Sequence, residues 1–167
     1  MAYHAIKIAE NVKTTKIQES KILIIGAGAI GLLLALILQK KNCENITIID
    51  TNQKRLDVCN KVSNCNVSHP DNSMIIENNY DIVFDAVGFA ITRKKSIQTI
   101  KPGGIIIHIG LSQAGGEFDF RKTTLQEVTF IGTYCYTNKD FKFSLDMLNK
   151  KKLGDLSWLD YRSLKDG

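Results

Sequence analysis

An α/β protein built on a doubly wound, six-stranded parallel sheet in the strand order 3-2-1-4-5-6 is predicted by three observations. Residues 26–31, Gly-Ala-Gly-Ala-Ile-Gly, follow the apolar run Lys21-Ile-Leu-Ile-Ile25 and precede a helix-compatible apolar run from Leu32 to Leu38. Short apolar, β-branched runs with little internal polarity alternate with helical stretches along the chain, the pattern of parallel strands covered on both faces. A second such run, Asn45-Ile-Thr-Ile-Ile-Asp50, ends in an acid 22 positions after Gly28, at the strand end where such sheets meet their ligands.

Strand one is the run 21–25, and the glycines after it have separate physical roles. Gly26 permits the tight turn out of the strand, Gly28 leaves the backbone bare for the close approach of a pyrophosphate, and Gly31 lets the helix lie against the strand. Backbone N–H groups at the helix start, on Ala29, Ile30 and Gly31, then face the phosphates with the positive end of the helix dipole behind them. A lone G-x-G-x-x-G is a weak signal; between a strand and a helix it meets the context of a dinucleotide fingerprint. Asp50, at the tip of strand two, is placed to accept hydrogen bonds from an adenosine ribose and to repel a 2′-phosphate. The pattern favours NAD over NADP, although Arg55, five residues on, suits either a ribose hydroxyl or a phosphate.

The later elements follow in alternation. A helix over Gln53–Ser63 leads to a weak strand at Asn66–Ser68 and a poorly patterned stretch through Asn79. Tyr80-Asp-Ile-Val-Phe-Asp-Ala-Val-Gly88 reads as strand four, and Thr92–Ile100 as a helix stopped by Lys101-Pro-Gly-Gly104. Ile105–Gly110 is strand five, Arg121–Gln126 one helical turn, Val128–Tyr134 strand six, and Asn138–Lys151 the last helix. Ligands bind beyond the carboxyl ends of such strands, where the strand order reverses. That rule selects Val87 and Gly88, Ile109, Gly110 and Leu111, and Tyr134 and Cys135 as candidate contacts to the ribose and nicotinamide. His108 falls mid-strand and reads as a core histidine.

A chain of 167 residues is enough for one α/β domain and too short for a second of equal size. The net charge of +5 is spread along the chain, and its densest stretch, Lys150-Lys-Lys152, ends the last helix, where cations suit the dipole. Basic residues are not interleaved with aromatic ones, so no nucleic-acid signature is present. Cys43, Cys59, Cys65 and Cys135 contain no C-x-x-C pair and no metal-ligand spacing; they read as free thiols of a cytoplasmic protein. No apolar stretch approaches the ~20 residues needed to span a bilayer, and no membrane association is expected.

The order Ile-Ile-Gly-Ala-Gly-Ala-Ile-Gly, Ile-Ile-Asp50, Asp-Ile-Val-Phe-Asp-Ala-Val-Gly88, Lys-Pro-Gly-Gly104 and Ile-Gly-Leu111 resembles the cofactor-binding Rossmann domain of medium-chain, zinc-dependent alcohol and polyol dehydrogenases. Gln126-Glu-Val-Thr-Phe-Ile-Gly-Thr-Tyr134 and Leu153-Gly-Asp-Leu-Ser-Trp158 extend the likeness over nearly the whole chain. The resemblance implies an NAD-binding domain over residues 1–152, with 153–167 as the segment leading back toward a catalytic domain. It further implies that Tyr3–Lys7 belongs to a linking helix and that zinc sits only in that catalytic domain, for which this sequence has no counterpart. Hydride transfer between NAD and an alcohol is thus expected of the parent enzyme and no turnover of this chain alone. His4, His69 and His108 have no second ligand at usable spacing and are not expected to bind metal. The edge strand 128–134 carries no Lys or Pro to discourage pairing, and the resemblance implies a homodimer that pairs two copies of it. Two other readings share the fingerprint and the acid: a stand-alone NAD-sensing regulatory domain, and an S-adenosylmethionine-dependent methyltransferase with a seventh, antiparallel strand.

Overall fold

In the computed structural model of the protein, which describes residues 1–72 and 75–166, six strands form one sheet. They are β1 (Ile22–Ile25), β2 (Ile46–Ile49), β3 (Asn66–Ser68), β4 (Tyr80–Asp85), β5 (Ile100–His108) and β6 (Thr129–Gly132). Their order is β3-β2-β1-β4-β5-β6, and all five pairings are parallel, as the alternating pattern predicts. The described residues contain no antiparallel seventh strand of the kind a methyltransferase carries. Two residues of the poorly patterned stretch before Asn79, at 73 and 74, lie outside the described residues, as does Gly167.

The central strands are β-branched and buried on both faces: Ile22 to Ile25 have no exposed member. One face is covered by α1 (Ala2–Val12), α2 (Ala29–Lys40), α3 (Gln53–Val62) and α6 (Asn138–Asn149), which bury Ile6, Leu34, Leu56 and Met147 against Ile24 and Phe84. The other is covered by α4 (Ala90–Thr99), with Ile97 packed among Leu23, Val83 and Ile106 and with Phe118 and Phe130 at the rim. The short α5 (Phe120–Leu125) buries no residue.

Helix α1 presents Ala2, Ala5, Ile6 and Ala9 at helical spacing to α2, and it is also tied to α6 by a buried acid. Asp140 accepts hydrogen bonds from Lys7 Nζ (2.5 Å) and Thr137 Oγ1 (2.7 Å) and pairs with His4 Nδ1 (2.7 Å), and it completes a capping box with Thr137 at the start of α6. Burial alone would raise this carboxyl, but the hydrogen bonds from Lys7, Thr137 and His4 overcome it and hold the group well below the usual carboxylate range. The tail 153–159 folds back on the same face, with Leu153 buried and Leu156 and Trp158 packed against the core.

Several boundaries differ from the sequence pattern, each for a local reason. Helix α2 is not among them: it begins where the fingerprint places it, with Ala29, Ile30 and Gly31 in its first turn and Gly28 as N-cap. Strand β5 begins at Ile100 and runs through Pro102-Gly103-Gly104, because a register shift between Tyr80 and Ile82 absorbs the extra residues as a bulge. Strands β4 and β5 stop at Asp85 and His108, short of the predicted 88 and 110, because the next backbone donors turn to a single residue. Val87 and Gly88 N–H donate to Asp85 Oδ1, and Ile109 and Gly110 N–H donate to the Asp85 carbonyl. Strand β6 ends at Gly132, which leaves Tyr134 and Cys135 on the following loop, the latter at φ 53.

Candidate functional site

The glycine turn and the acid of β2 meet at the carboxyl end of the sheet. Gly26 leaves β1 at φ +101 and donates its N–H to Ile49 O (2.7 Å). Ala27 N–H donates to Asp50 Oδ2 (2.7 Å), while Asp50 Oδ1 accepts from Asn52 N–H (2.8 Å). The carboxylate is therefore locked against the turn, and Arg55 Nη1 lies 3.6 Å from it on the solvent side. Asn52 in turn caps α3 by accepting from Arg55 N–H, so one loop sets the positions of both Asp50 and Arg55.

The geometry separates the three glycines. A Cβ on Gly31 would lie 1.8 Å from Gly26 O, so the helix can lie this close to the turn only without a side chain. A Cβ on Gly28 would meet nothing within 4 Å. Gly28 is thus not required by packing; its bare backbone opens toward solvent at the head of α2, which has no side-chain cap. The first-turn N–H groups of a helix have no partner within the helix, a geometry that suits an anion, with the dipole behind it.

Across the sheet from this turn, Asp85 organises the other half of the site. Its side chain is fully buried. Oδ1 accepts from Val87 and Gly88 N–H (3.0 and 2.9 Å), and Oδ2 accepts from Thr92 Oγ1 (3.0 Å) and lies 3.1 Å from His108 Nδ1. His108 is thus not a mid-strand core histidine: it is the last residue of β5, half-buried, with its ring also against Phe130 (centroids 5.6 Å apart). Gly88, at φ +82, and Gly110 touch backbone to backbone.

Of the residues selected from the sequence, Gly26, Asp50, Arg55 and Val87 line one cleft of about 670 Å³, together with Thr51, Phe89 and residues of α4. Gly88, Ile109, Gly110 and Leu111 lie on the two touching loops beside it. Tyr134 is 70% exposed and, with Cys135, follows β6. Asp85, Thr92 and Arg93 escaped the sequence reading; an acid inside an apolar strand run, Phe-Asp85-Ala, was the available signal for the first. Among the described residues no group of three or more His, Cys, Asp or Glu side chains is placed to hold a metal ion. His4 and His108 are each paired to a buried aspartate instead.

The open glycine turn, the locked carboxylate and the cleft that Gly26 and Asp50 line with Val87 and α4 fit a dinucleotide: the turn would receive the pyrophosphate and Asp50 the ribose. Comparison with known proteins gives the chain its relatives. Residues 29–150 match the family described as zinc-binding dehydrogenase. The chain is similar to D-xylulose reductase of Saccharomyces cerevisiae, 23% identical over 180 residues covering 99% of this chain and 49% of that protein. It is similar to sorbitol dehydrogenase of Bombyx mori, 25% identical over 130 residues covering 71% of this chain and 37% of that protein. In fold it is similar to acetophenone reductase from Geotrichum candidum, solved in complex with NAD, with a TM-score of 0.81 at 24% identity over 91% of this chain and 43% of that one. The chain thus spans about half the length, or less, of the curated relatives it matches.

Proposed function

The chain belongs to the zinc-binding dehydrogenase family, and on that premise we propose that it binds NAD(H) across the carboxyl ends of its strands as the cofactor-carrying part of an alcohol or polyol dehydrogenase. The observation that carries the reading is the empty space over Gly28 beside a carboxylate fixed by Ala27 N–H. A bare backbone at the head of a helix, where packing does not demand a glycine, leaves room for a ligand's phosphates.

When bound, the nicotinamide supplies the hydride chemistry, and the protein's share is binding, orientation and electrostatics. Gly26, Gly28 and the N–H groups of Ala29, Ile30 and Gly31 hold the pyrophosphate. Asp50 receives the adenosine ribose hydroxyls, and Arg55, on the outer side of that carboxylate, covers the adenosine. Val87 and Gly88, Ile109, Gly110 and Leu111, and Tyr134 and Cys135 form the wall along the nicotinamide ribose and ring. Residues 1–152 are the cofactor-binding unit on this reading, and 153–167 leads toward the catalytic part. The relatives' names support a polyol substrate, with the zinc held by residues other than those described here. The regulatory-domain and methyltransferase readings receive no support from the family match.

The four cysteines are free, which supports a reducing, cytoplasmic setting, and burial pushes the thiols of Cys43, Cys59 and Cys65 up to about 11, which keeps them unreactive. No helix of the described residues is long and apolar enough to cross a membrane. Strand β6 is paired on one side only, which supports a homodimer through that edge. Calorimetric titration of the chain tests the reading: saturation by NADH at one per chain, with NADPH weaker and no alcohol oxidised, is the expected result, and failure to bind NADH refutes it.

A further inference from the structure

The candidate nicotinamide contacts lie on two loops from different strands, 86–89 after β4 and 109–116 after β5. At their base the loops are fused: a Cβ on Gly88 would lie 2.1 Å from Gly110 O, and one on Gly110 would lie 2.0 Å from the Val87 carbonyl carbon. Beyond that seam the second loop is exposed from Leu111 to Glu117, and side chains hold it. Ser112 Oγ donates to Val87 O (2.7 Å), and Gln113 Oε1 accepts from Ala90 N–H (3.0 Å). Arg93, on α4, spans both loops: Nη1 donates to Gly88 O (2.9 Å) and Gln113 O (3.2 Å), and Nη2 donates to Gly115 O. Gly115 and Gly116, at φ +70 and +116, let the chain wrap the guanidinium, and a Cβ on Gly116 would lie 3.0 Å from Arg93 Nη2.

We propose that Arg93 is a positioning residue for the nicotinamide half of the cofactor: its guanidinium staples loop 109–116 to loop 86–89, so that the Gly110–Leu111 backbone is in place before the cofactor arrives. The inference rests on reading the site as NAD(H)-binding. A planar fork of N–H donors reaches several carbonyls at once, which a lysine ammonium on a flexible stem does not reproduce. An exposed loop left unordered would be ordered only on binding, at a cost in affinity. Arg93 has no hydrogen bond to the glycine turn or to Asp50, so its direct hold is on the two loops.

ADP-ribose, which is NAD lacking only the nicotinamide, separates the two ends. In calorimetric titrations of the full chain, the wild type binds NAD more tightly than ADP-ribose. Arg93→Ala and Arg93→Lys lower NAD affinity about tenfold, the loss expected of a charge-assisted hydrogen-bond set, with ADP-ribose affinity held within about twofold. Gln113→Ala, on the exposed loop, shifts the same ratio in the same direction and serves where an Arg93 variant fails to fold. A merely structural Arg93 would lower the melting temperature and weaken both ligands alike, and that result, or an unchanged NAD affinity, overturns the proposal. A wild type that binds NAD no better than ADP-ribose overturns it while leaving the site reading intact. Binding of neither ligand overturns the reading and the proposal together.

Discussion

Gly28 and Gly31 share one motif and answer to different forces. Gly31 is held by packing, since any Cβ there collides with the backbone of Gly26, whereas Gly28 has an ordinary extended conformation (φ −72, ψ −173) and open space above it. Gly28→Ala is therefore expected to leave the melting temperature within a degree or so of wild type and to weaken NADH about tenfold or more, roughly 1.4 kcal/mol, by filling the pyrophosphate cradle. Gly31→Ala is expected to cost about 1–3 kcal/mol of stability by overpacking, read from urea denaturation. If both variants lost stability equally, Gly28 would be a structural glycine and the cradle argument would fall. The motif and Asp50 were legible in the sequence because a glycine turn between a strand and a helix, followed about 20 residues on by an acid ending the next strand, is a known spacing, although Asp50 meets Ala27 from 23 positions away. Asp85 and Arg93 were not, because no such spacing marks the approach of His108 and Gly115, which become their neighbours only once β4 and β5 pair.

Strand order was predictable from alternation taken with the glycine fingerprint and the acid that ends strand two, and strand ends were not. Apolar periodicity continues past Asp85 and His108 into Val87 and Ile109, yet the ladder stops where Asp85 captures the next N–H groups. The Pro-Gly-Gly turn read as a helix stop and proved to lie inside β5, since a bulge opposite Tyr80–Ile82 accommodates it. The link between α1 and α6 was equally hidden, because Asp140 lies more than 130 positions from His4 and Lys7. Removing that carboxylate with Asp140→Ala strands Lys7 and His4 and should cost about 1–3 kcal/mol near neutral pH. The folded-state value of Asp140 is depressed, so its contribution is present above the unfolded value of about 3.8 and is lost as pH falls through the folded one. Denaturation curves of wild type and variant should accordingly converge as the pH is lowered below 3.8; a gap that widened in acid would reverse the sign assigned here.

At the scale of the whole molecule, the sheet ends in β6, an edge strand with Phe130 and Ile131 half-buried and Gly132 exposed. An unguarded edge of this kind pairs readily, and a two-fold axis is the commonest way to close such a contact. Light scattering should return a dimer for the wild type and a monomer for Gly132→Pro: Thr133 N–H points into the sheet at His108 O, so the alternating Gly132 N–H faces the open edge and its loss removes an outward ladder donor, with NADH affinity retained in both. A wild-type monomer at high concentration would show the edge to be unpaired. The central claim, that the carboxyl end of the sheet holds an NAD whose adenosine ribose rests on Asp50, is tested most directly by titrating wild type and Asp50→Gly with NADH and NADPH. The account predicts that the variant loses NADH affinity while NADPH affinity holds or improves, narrowing the gap between them. Equal weakening of both cofactors, or none, would contradict it.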